Sequence, residues 1–217
     1  MNKTIQAVVF DFDGVLAVTE MSHFAAFTRT AEELGLEMPG SFFDKMIGGT
    51  DDECADELAG HWKGQVSREE ILQRKQQIYR ESAILEARLV PGILEFLTEL
   101  RERTIPMGIA TNSGRADIMP FIERYRLHDF FCTIRTLEDV SRPKPQPDIY
   151  QLVFRDMGIS PENIVVFEDS PAGSQAAHRA GARIIGLLTT FRPEQLPLAS
   201  THWPDFSKRH LWQELLS

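Results

Sequence analysis

The stretch VVFDFDGVL delivers two aspartates, Asp11 and Asp13, directly after an apolar run and just before Gly14. Burying acids costs several kcal/mol unless a partner meets them. Further polar groups close other apolar runs: Thr111-Asn112-Ser113 and Glu168-Asp169-Ser170. Lys144 stands in RPKPQPD, where Pro143, Pro145 and Pro147 restrict the backbone and steady its stem. If these loops meet, one site gathers four carboxylates, a hydroxyl, backbone donors and one ammonium. One lysine does not balance four acids. A divalent cation does, and an oxygen-only donor set favours Mg²⁺ over Zn²⁺.

Such a group of residues suits phosphoryl transfer. An ionised aspartate can attack phosphorus once a cation and the lysine cancel its repulsion with the phosphate. A second acid two residues on can give a proton to the leaving oxygen and take one from water. A hydroxyl and backbone N–H groups can hold the remaining phosphoryl oxygens. Taken alone, Asp13-Gly14 is equally a turn signal, and Thr111 and Ser113 equally suit the start of a helix near Arg115.

The elements that must position these residues are legible in the periodicity. Short Val/Ile/Phe-rich runs recur as AVVF, PMGIA, FFCTI, IVVF and ARIIGLL, each ending in a polar or turn residue. Runs of this kind suit strands buried on both faces of a parallel sheet. Helical patterns lie between them: Ile93, Leu94, Leu97 and Leu100 share a face, as do Ile149, Leu152, Val153 and Met157, with a stop at Gly158. Ser170-Pro171 opens a further helix that stops at Gly181. The alternation predicts a doubly wound α/β fold, a Rossmann-like parallel sheet.

One segment breaks the alternation. From Ala17 to Arg88 only helical patterns occur: Phe24, Phe27, Ala31 and Leu34 before Gly35, then Ser67 and Glu70 at capping-box spacing ahead of Ile71, Leu72, Ile78 and Tyr79. A βα connection normally takes about 2–6 residues. The expectation is a core of residues 1–16 and 89–217 carrying an inserted all-helical cap at 17–88, with Phe42, Phe43, Met46 and Trp62 packed inside it or between the domains.

Composition bounds the partners. The chain has 217 residues, 42% hydrophobic and 25% charged, enough to build a substantial core. A net charge of −9 without a Lys/Arg cluster argues against nucleic acid as a partner. No apolar run is long enough to span a bilayer, and no small-residue cleavage site follows the short apolar run at the start. Cys54 and Cys132 match no metal-ligand spacing and are expected as reduced thiols. These features predict a cytoplasmic, acidic protein acting on a small molecule, with a monomer as the default.

In order along the chain, DFDGVL, ATNS, RPKPQPDIY and FEDSPAGSQAAHRAG resemble the four motifs of the haloacid dehalogenase-like superfamily. The helical insert resembles the branch that includes β-phosphoglucomutase and phosphoglycolate phosphatase. The resemblance implies Asp11 as a nucleophile forming an aspartyl-phosphate, with Asp13 as general acid/base that lends its backbone carbonyl to Mg²⁺. It further implies Thr111 and the Asn112 N–H as phosphoryl ligands, Lys144 as the neutralising cation, Asp169 as a metal ligand and Glu168 at or behind the metal. An acid at position 13 favours phosphate-ester chemistry over dehalogenation. His23 is then either a hinge residue near the substrate or packed on the first cap helix. Gly49, in Gly48-Gly49-Thr50, is either part of a substrate-selecting cap loop or a turn. Val18-Thr19-Glu20 departs from the DTE or DSE of most relatives, which bears on the hinge and not on the metal. The reading that results is a Mg²⁺-dependent phosphatase of a small phosphorylated metabolite. A β-phosphoglucomutase-type mutase is the alternative, disfavoured because DKMIGGTDDE carries acids and no arginine.

Overall fold

The computed structural model of the chain describes residues 5–47 and 50–217, which fall into two compact units. One holds the residues up to Val18 together with Arg88–Ser217; the other is Thr19–Ala87. Eight strands are described: β1 (Ala7–Phe10), β2 (Ala17–Val18), β3 (Arg88–Leu89), β4 (Met107–Ala110), β5 (Thr133–Arg135), β6 (Ile164–Glu168), β7 (Arg183–Leu187) and β8 (Thr201–Trp203). Six of them form one sheet in the order β5-β4-β1-β6-β7-β8, and every pairing in it is parallel. In β1, β4 and β6 every residue is buried, as the uninterrupted apolar runs require. Strand β8 has no such run; it is a three-residue edge strand with only Trp203 buried, so the sequence carried little signal for it.

Strands β2 and β3 pair antiparallel, Ala17 with Leu89 and Val18 with Arg88. This ladder ties Ala17, Val18 and Arg88 to the first unit. The helical unit therefore starts two residues later, and ends one residue earlier, than the apolar periodicity suggested.

The helical unit contains α1 (Glu20–Glu33), α2 (Phe42–Met46), α3 (Asp51–His61), α4 (Arg68–Ile78) and α5 (Ile84–Glu86), with a π-helical turn at Tyr79–Ala83. Its own core joins Phe27, Ala31, Phe42, Leu58, Trp62 and Ile71, so it does not depend on the sheet for a hydrophobic interior. Helix α3 begins with a full capping box, Thr50 accepting from the Glu53 N–H while the Glu53 carboxylate accepts from the Thr50 N–H. At α4 Ser67 caps the Glu70 N–H in the expected way.

The sheet is covered on both faces. Helices α8 (Asp148–Met157) and α9 (Pro171–Arg179) pack Ile149, Val153, Ala176 and Ala177 against Ala7, Val9, Ile164 and Val166. Side chains alternate along a strand, so Phe10 and Phe167 point the other way, where they stack 5.4 Å apart. There they meet Phe96 of α6 (Ile93–Glu102), whose ring also contacts Trp212 of α10 (Arg209–Leu216). Helix α7 (Arg115–Arg124) seats Phe121 on Phe12, just past the end of β1. No helix among the described residues is long and apolar enough to cross a membrane.

Candidate active site

Leaving β1 the chain runs outward through β4 and β5, then returns to the other side of β1 as β6. The carboxyl ends of β4, β1 and β6 thus flank the point where the winding reverses, the place where open α/β sheets bind ligands. Asp11, Thr111 and Asp169 each follow directly on one of these three strands.

Asp11 is fixed from two sides. Its N–H donates to the Phe167 carbonyl at 3.0 Å, and its Oδ1 accepts the Phe12 N–H at 2.8 Å. The turn that follows depends on Gly14, which holds φ at +67°. A Cβ there would lie 1.9 Å from Asp169 Oδ2, so only glycine lets this turn close against the acid of the neighbouring strand. Thr189, beyond β7, donates its hydroxyl to the Gly14 carbonyl at 2.6 Å.

Lys144 comes from the proline-bordered loop before α8. Its Nζ lies 2.9 Å from Asp11 Oδ1 and 2.6 Å from Glu168 Oε1, and its side chain is 3% exposed. Asn112 sets the height of that loop: its Oδ1 accepts the Lys144 N–H at 3.0 Å and its Nδ2 donates to the Lys144 carbonyl at 3.3 Å. The Asn112 side chain therefore places the lysine, a function that sequence reasoning, attentive to its backbone N–H, did not reach. Thr111 is buried, and its Oγ1 accepts the Ser113 N–H at 3.0 Å. Ser113 in turn donates its hydroxyl to Asp13 Oδ2 in a short contact.

Glu168 is wholly buried and heavily bonded. Oε1 accepts from Lys144 and, at 2.6 Å, from the Tyr150 hydroxyl; Oε2 accepts from the Ser170 N–H at 3.2 Å and the Ser170 hydroxyl at 3.0 Å. Gly173, in the first turn of α9, presses on this carboxylate so closely that a Cβ would fall 1.8 Å from Oε1. Ser170 joins the two features, since its hydroxyl also caps the Gly173 N–H. Tyr150 escaped the sequence reading because at helical spacing it is one more core aromatic.

Oxygen atoms of Asp11, Glu168 and Asp169 lie within 4.8 Å of one another. Burial and the Glu168 charge push the Asp11 carboxyl up to about 7, with Lys144 pulling the other way. Burial works against the Lys144 ammonium, but Asp11 and Glu168 outweigh it and raise its pKa. The site thus holds more buried negative charge than one ammonium neutralises. The excess charge and the all-oxygen donors fit a hard divalent cation such as Mg²⁺.

His23 belongs to the helical unit, where Nδ1 lies 2.8 Å from Lys75 Nζ and the ring stacks 4.4 Å from Tyr79. Lys75, nearly buried, also donates to Asp51 Oδ2 at 2.5 Å. Gly49 lies outside the described residues.

A doubly wound parallel sheet with a helical insertion after its first strand, acids at the winding reversal and a buried lysine beside them define a hydrolase of the haloacid dehalogenase type. Residues 8–187 match the family model for haloacid dehalogenase-like hydrolases, and the chain belongs to that family as a phosphatase-type hydrolase. It is 31% identical over 188 residues to the phosphorylated carbohydrates phosphatase of Thermotoga maritima, covering 85% of this chain and 86% of that one. It is 27% identical over 190 residues to the β-phosphoglucomutase of Bacillus subtilis, covering 84% and 83%. The crystal structure of CbbY from Rhodobacter sphaeroides in complex with phosphate superposes with a TM-score of 0.80 at 28% identity, over 94% of this chain and 96% of that one.

Proposed function

We propose that this chain hydrolyses the phosphate monoester of a small phosphorylated metabolite, a sugar phosphate or a compound like phosphoglycolate, with Mg²⁺ as cofactor. The observation that carries the reading is the Lys144 ammonium held between Asp11 and Glu168 at the carboxyl ends of β1 and β6. Likeness to a phosphatase of phosphorylated carbohydrates supports the substrate class.

An Asp11 carboxylate oxygen attacks phosphorus in line with the ester oxygen, forming the acyl–phosphate bond as the P–O ester bond breaks. Asp13 gives its proton to the departing oxygen, so the alcohol leaves neutral. Water then attacks the phosphorus, Asp13 takes its proton, and inorganic phosphate departs with Asp11 restored. Lys144 cancels part of the repulsion between Asp11 and the incoming phosphate, and the Thr111 hydroxyl and the Asn112 N–H bind non-bridging oxygens. Asp11, Asp169 and the Asp13 carbonyl would hold Mg²⁺, with Glu168 at or behind it; the ion supplies positive charge to the phosphoryl oxygens.

A mutase would share these steps and hand the phosphoryl group to a sugar in place of water. Against it stands the DKMIGGTDDE stretch, which carries acids and no arginine. The test is release of inorganic phosphate from a panel of sugar phosphates, phosphoglycolate and nucleotides, with Mg²⁺ and with chelator. Metal-dependent release supports the phosphatase. Conversion of β-glucose 1-phosphate to glucose 6-phosphate without net release would replace it with the mutase.

A further inference from the structure

Among the described residues, Tyr150 touches two members of the site at once. Its hydroxyl donates to Glu168 Oε1 at 2.6 Å, and its ring lies under the Lys144 ammonium, 4.8 Å from centroid to Nζ. A carboxylate offers roughly four lone-pair directions. At Glu168 all four are taken by protein donors: Lys144 and Tyr150 on one oxygen, the Ser170 N–H and hydroxyl on the other. An acid so satisfied has no lone pair left for a cation, whereas Asp11 has one oxygen engaged by Phe12 and Lys144 and a second to offer.

We propose that Tyr150 is a positioning residue: by occupying Glu168 Oε1 it keeps that carboxylate out of direct contact with the metal and balances its pull on Lys144, so that the ammonium stays on Asp11. The inference rests on the phosphatase reading and adds a residue to it. Without the phenol, Oε1 would hold Lys144 alone, in a buried site where an unmatched charge attracts strongly. The ammonium would then shift toward Glu168 and away from the attacking oxygen. Tyr150 reaches neither the Thr111 hydroxyl nor Asp169 through any of these bonds, so the defect centres on the Lys144–Asp11 pair and falls chiefly on the chemical step. The phenol remains a donor at working pH, since burial first and then the Glu168 charge hold its pKa well above the ordinary tyrosine value.

Tyr150→Phe keeps the ring, its packing and its contact with the ammonium, and deletes only the donor. The readouts are steady-state hydrolysis of the best ester of the panel, binding of Mn²⁺ alone followed by electron paramagnetic resonance, and the thermal midpoint. A charge-assisted hydrogen bond in a buried site is worth about a tenfold change or more. The expected result is therefore kcat lower by about tenfold or more, falling by more than KM rises, with Mn²⁺ bound no more weakly than by wild type because the freed Glu168 oxygen can only add a ligand. A kcat within about twofold overturns the proposal. So does a loss of Mn²⁺ affinity that matches the loss of kcat, which would place the effect at the metal.

A coupled comparison guards against a variant that does not fold. Glu168→Gln removes the buried charge that Tyr150 serves, so adding Tyr150→Phe to it should change single-turnover rates by less than about twofold. A further tenfold loss in that background would show Tyr150 acting independently of Glu168 and overturn the proposal. A wild type inert on every ester brings down the phosphatase reading and this one with it, an outcome recognised in the wild type alone.

Discussion

The Nζ of Lys144 lies 2.9 Å from Oδ1 of Asp11, although one belongs to the proline-bordered loop before α8 and the other to the end of β1. Both side chains are nearly shut off from solvent, so this pair and Glu168 form a charge cluster whose members depend on one another. Lys144→Ala leaves two buried carboxylates without their cation. Removing one partner of a buried pair typically costs about 3–5 kcal/mol. The thermal midpoint of the metal-free variant should fall accordingly, and Mg²⁺ should restore part of it by replacing the lost positive charge. A variant as stable as wild type without metal would contradict the cluster.

Proton and metal compete at Asp11. Its carboxyl is pushed up to about 7 by burial and Glu168 in the metal-free protein. Because the folded-state pKa is raised above the unfolded value, Asp11 contributes stability below pH ~4 that is lost as pH climbs through about 7. Cation binding must displace that proton, so Mg²⁺ affinity should rise with pH up to about 7 and level off above it. Calorimetric titrations in buffers of different ionisation enthalpy should detect proton release at pH 6 and little at pH 8. Equal proton release at both would contradict the raised pKa.

Gly173 is a second point of dependence. A methyl group at this position would meet the Glu168 carboxylate 1.8 Å away, and four protein donors hold that carboxylate in place. Overpacking of this kind costs roughly 1–3 kcal/mol. Gly173→Ala should lower the thermal midpoint and also kcat, since Glu168 can yield only by disturbing Lys144. Gly60→Ala, at a helical position with open space around its Cβ, serves as the control and should leave kcat unchanged and the thermal midpoint no lower, since alanine favours a helix over glycine.

The helical unit makes its own prediction. Burial raises the Asp51 carboxyl, but His23 and Lys75 together pull it well below the usual carboxylate range. Its depressed pKa contributes stability above the unfolded value near 3.8, which is lost as pH falls below it. Asp51→Ala leaves the almost fully buried Lys75 ammonium without its counter-charge, at a cost of about 3 kcal/mol. Asp51→Ala should therefore lower the denaturation midpoint of the unit and remove its contribution to acid sensitivity. An unchanged midpoint would contradict the pairing.

The sheet and the helical insert were legible because they depend on runs and periods of apolar residues, which a sequence displays directly. Val8, Val9 and Phe10 predict a buried strand whatever surrounds them. Strand β8 and the β2–β3 ladder were not legible, since strands of two or three residues are too short to show an apolar run or an alternation. At the site, Asp11, Lys144, Glu168 and Asp169 could be chosen by chemistry and motif; the fold brings Lys144 to bonding distance of Asp11 and Glu168, and oxygens of the three acids within 4.8 Å of one another. Tyr150, the side chain of Asn112 and Ser113 could not. Their significance is a matter of which atom meets which, Tyr150 Oη on Glu168 and Asn112 across the Lys144 backbone, and residue type alone does not specify it. The histidine left open between hinge and helix packing, His23, bonds within the helical unit to Lys75.

The central claim is that Asp11 carries the phosphoryl group. The most direct measurement is an acid quench of wild type during turnover, with the labelled peptide located by mass spectrometry, beside Asp11→Asn treated identically. The account predicts phosphate bound to the peptide containing Asp11 in the wild type, and neither label nor phosphate release in the variant. Phosphate release that persists in Asp11→Asn, or a label on another residue, would contradict it.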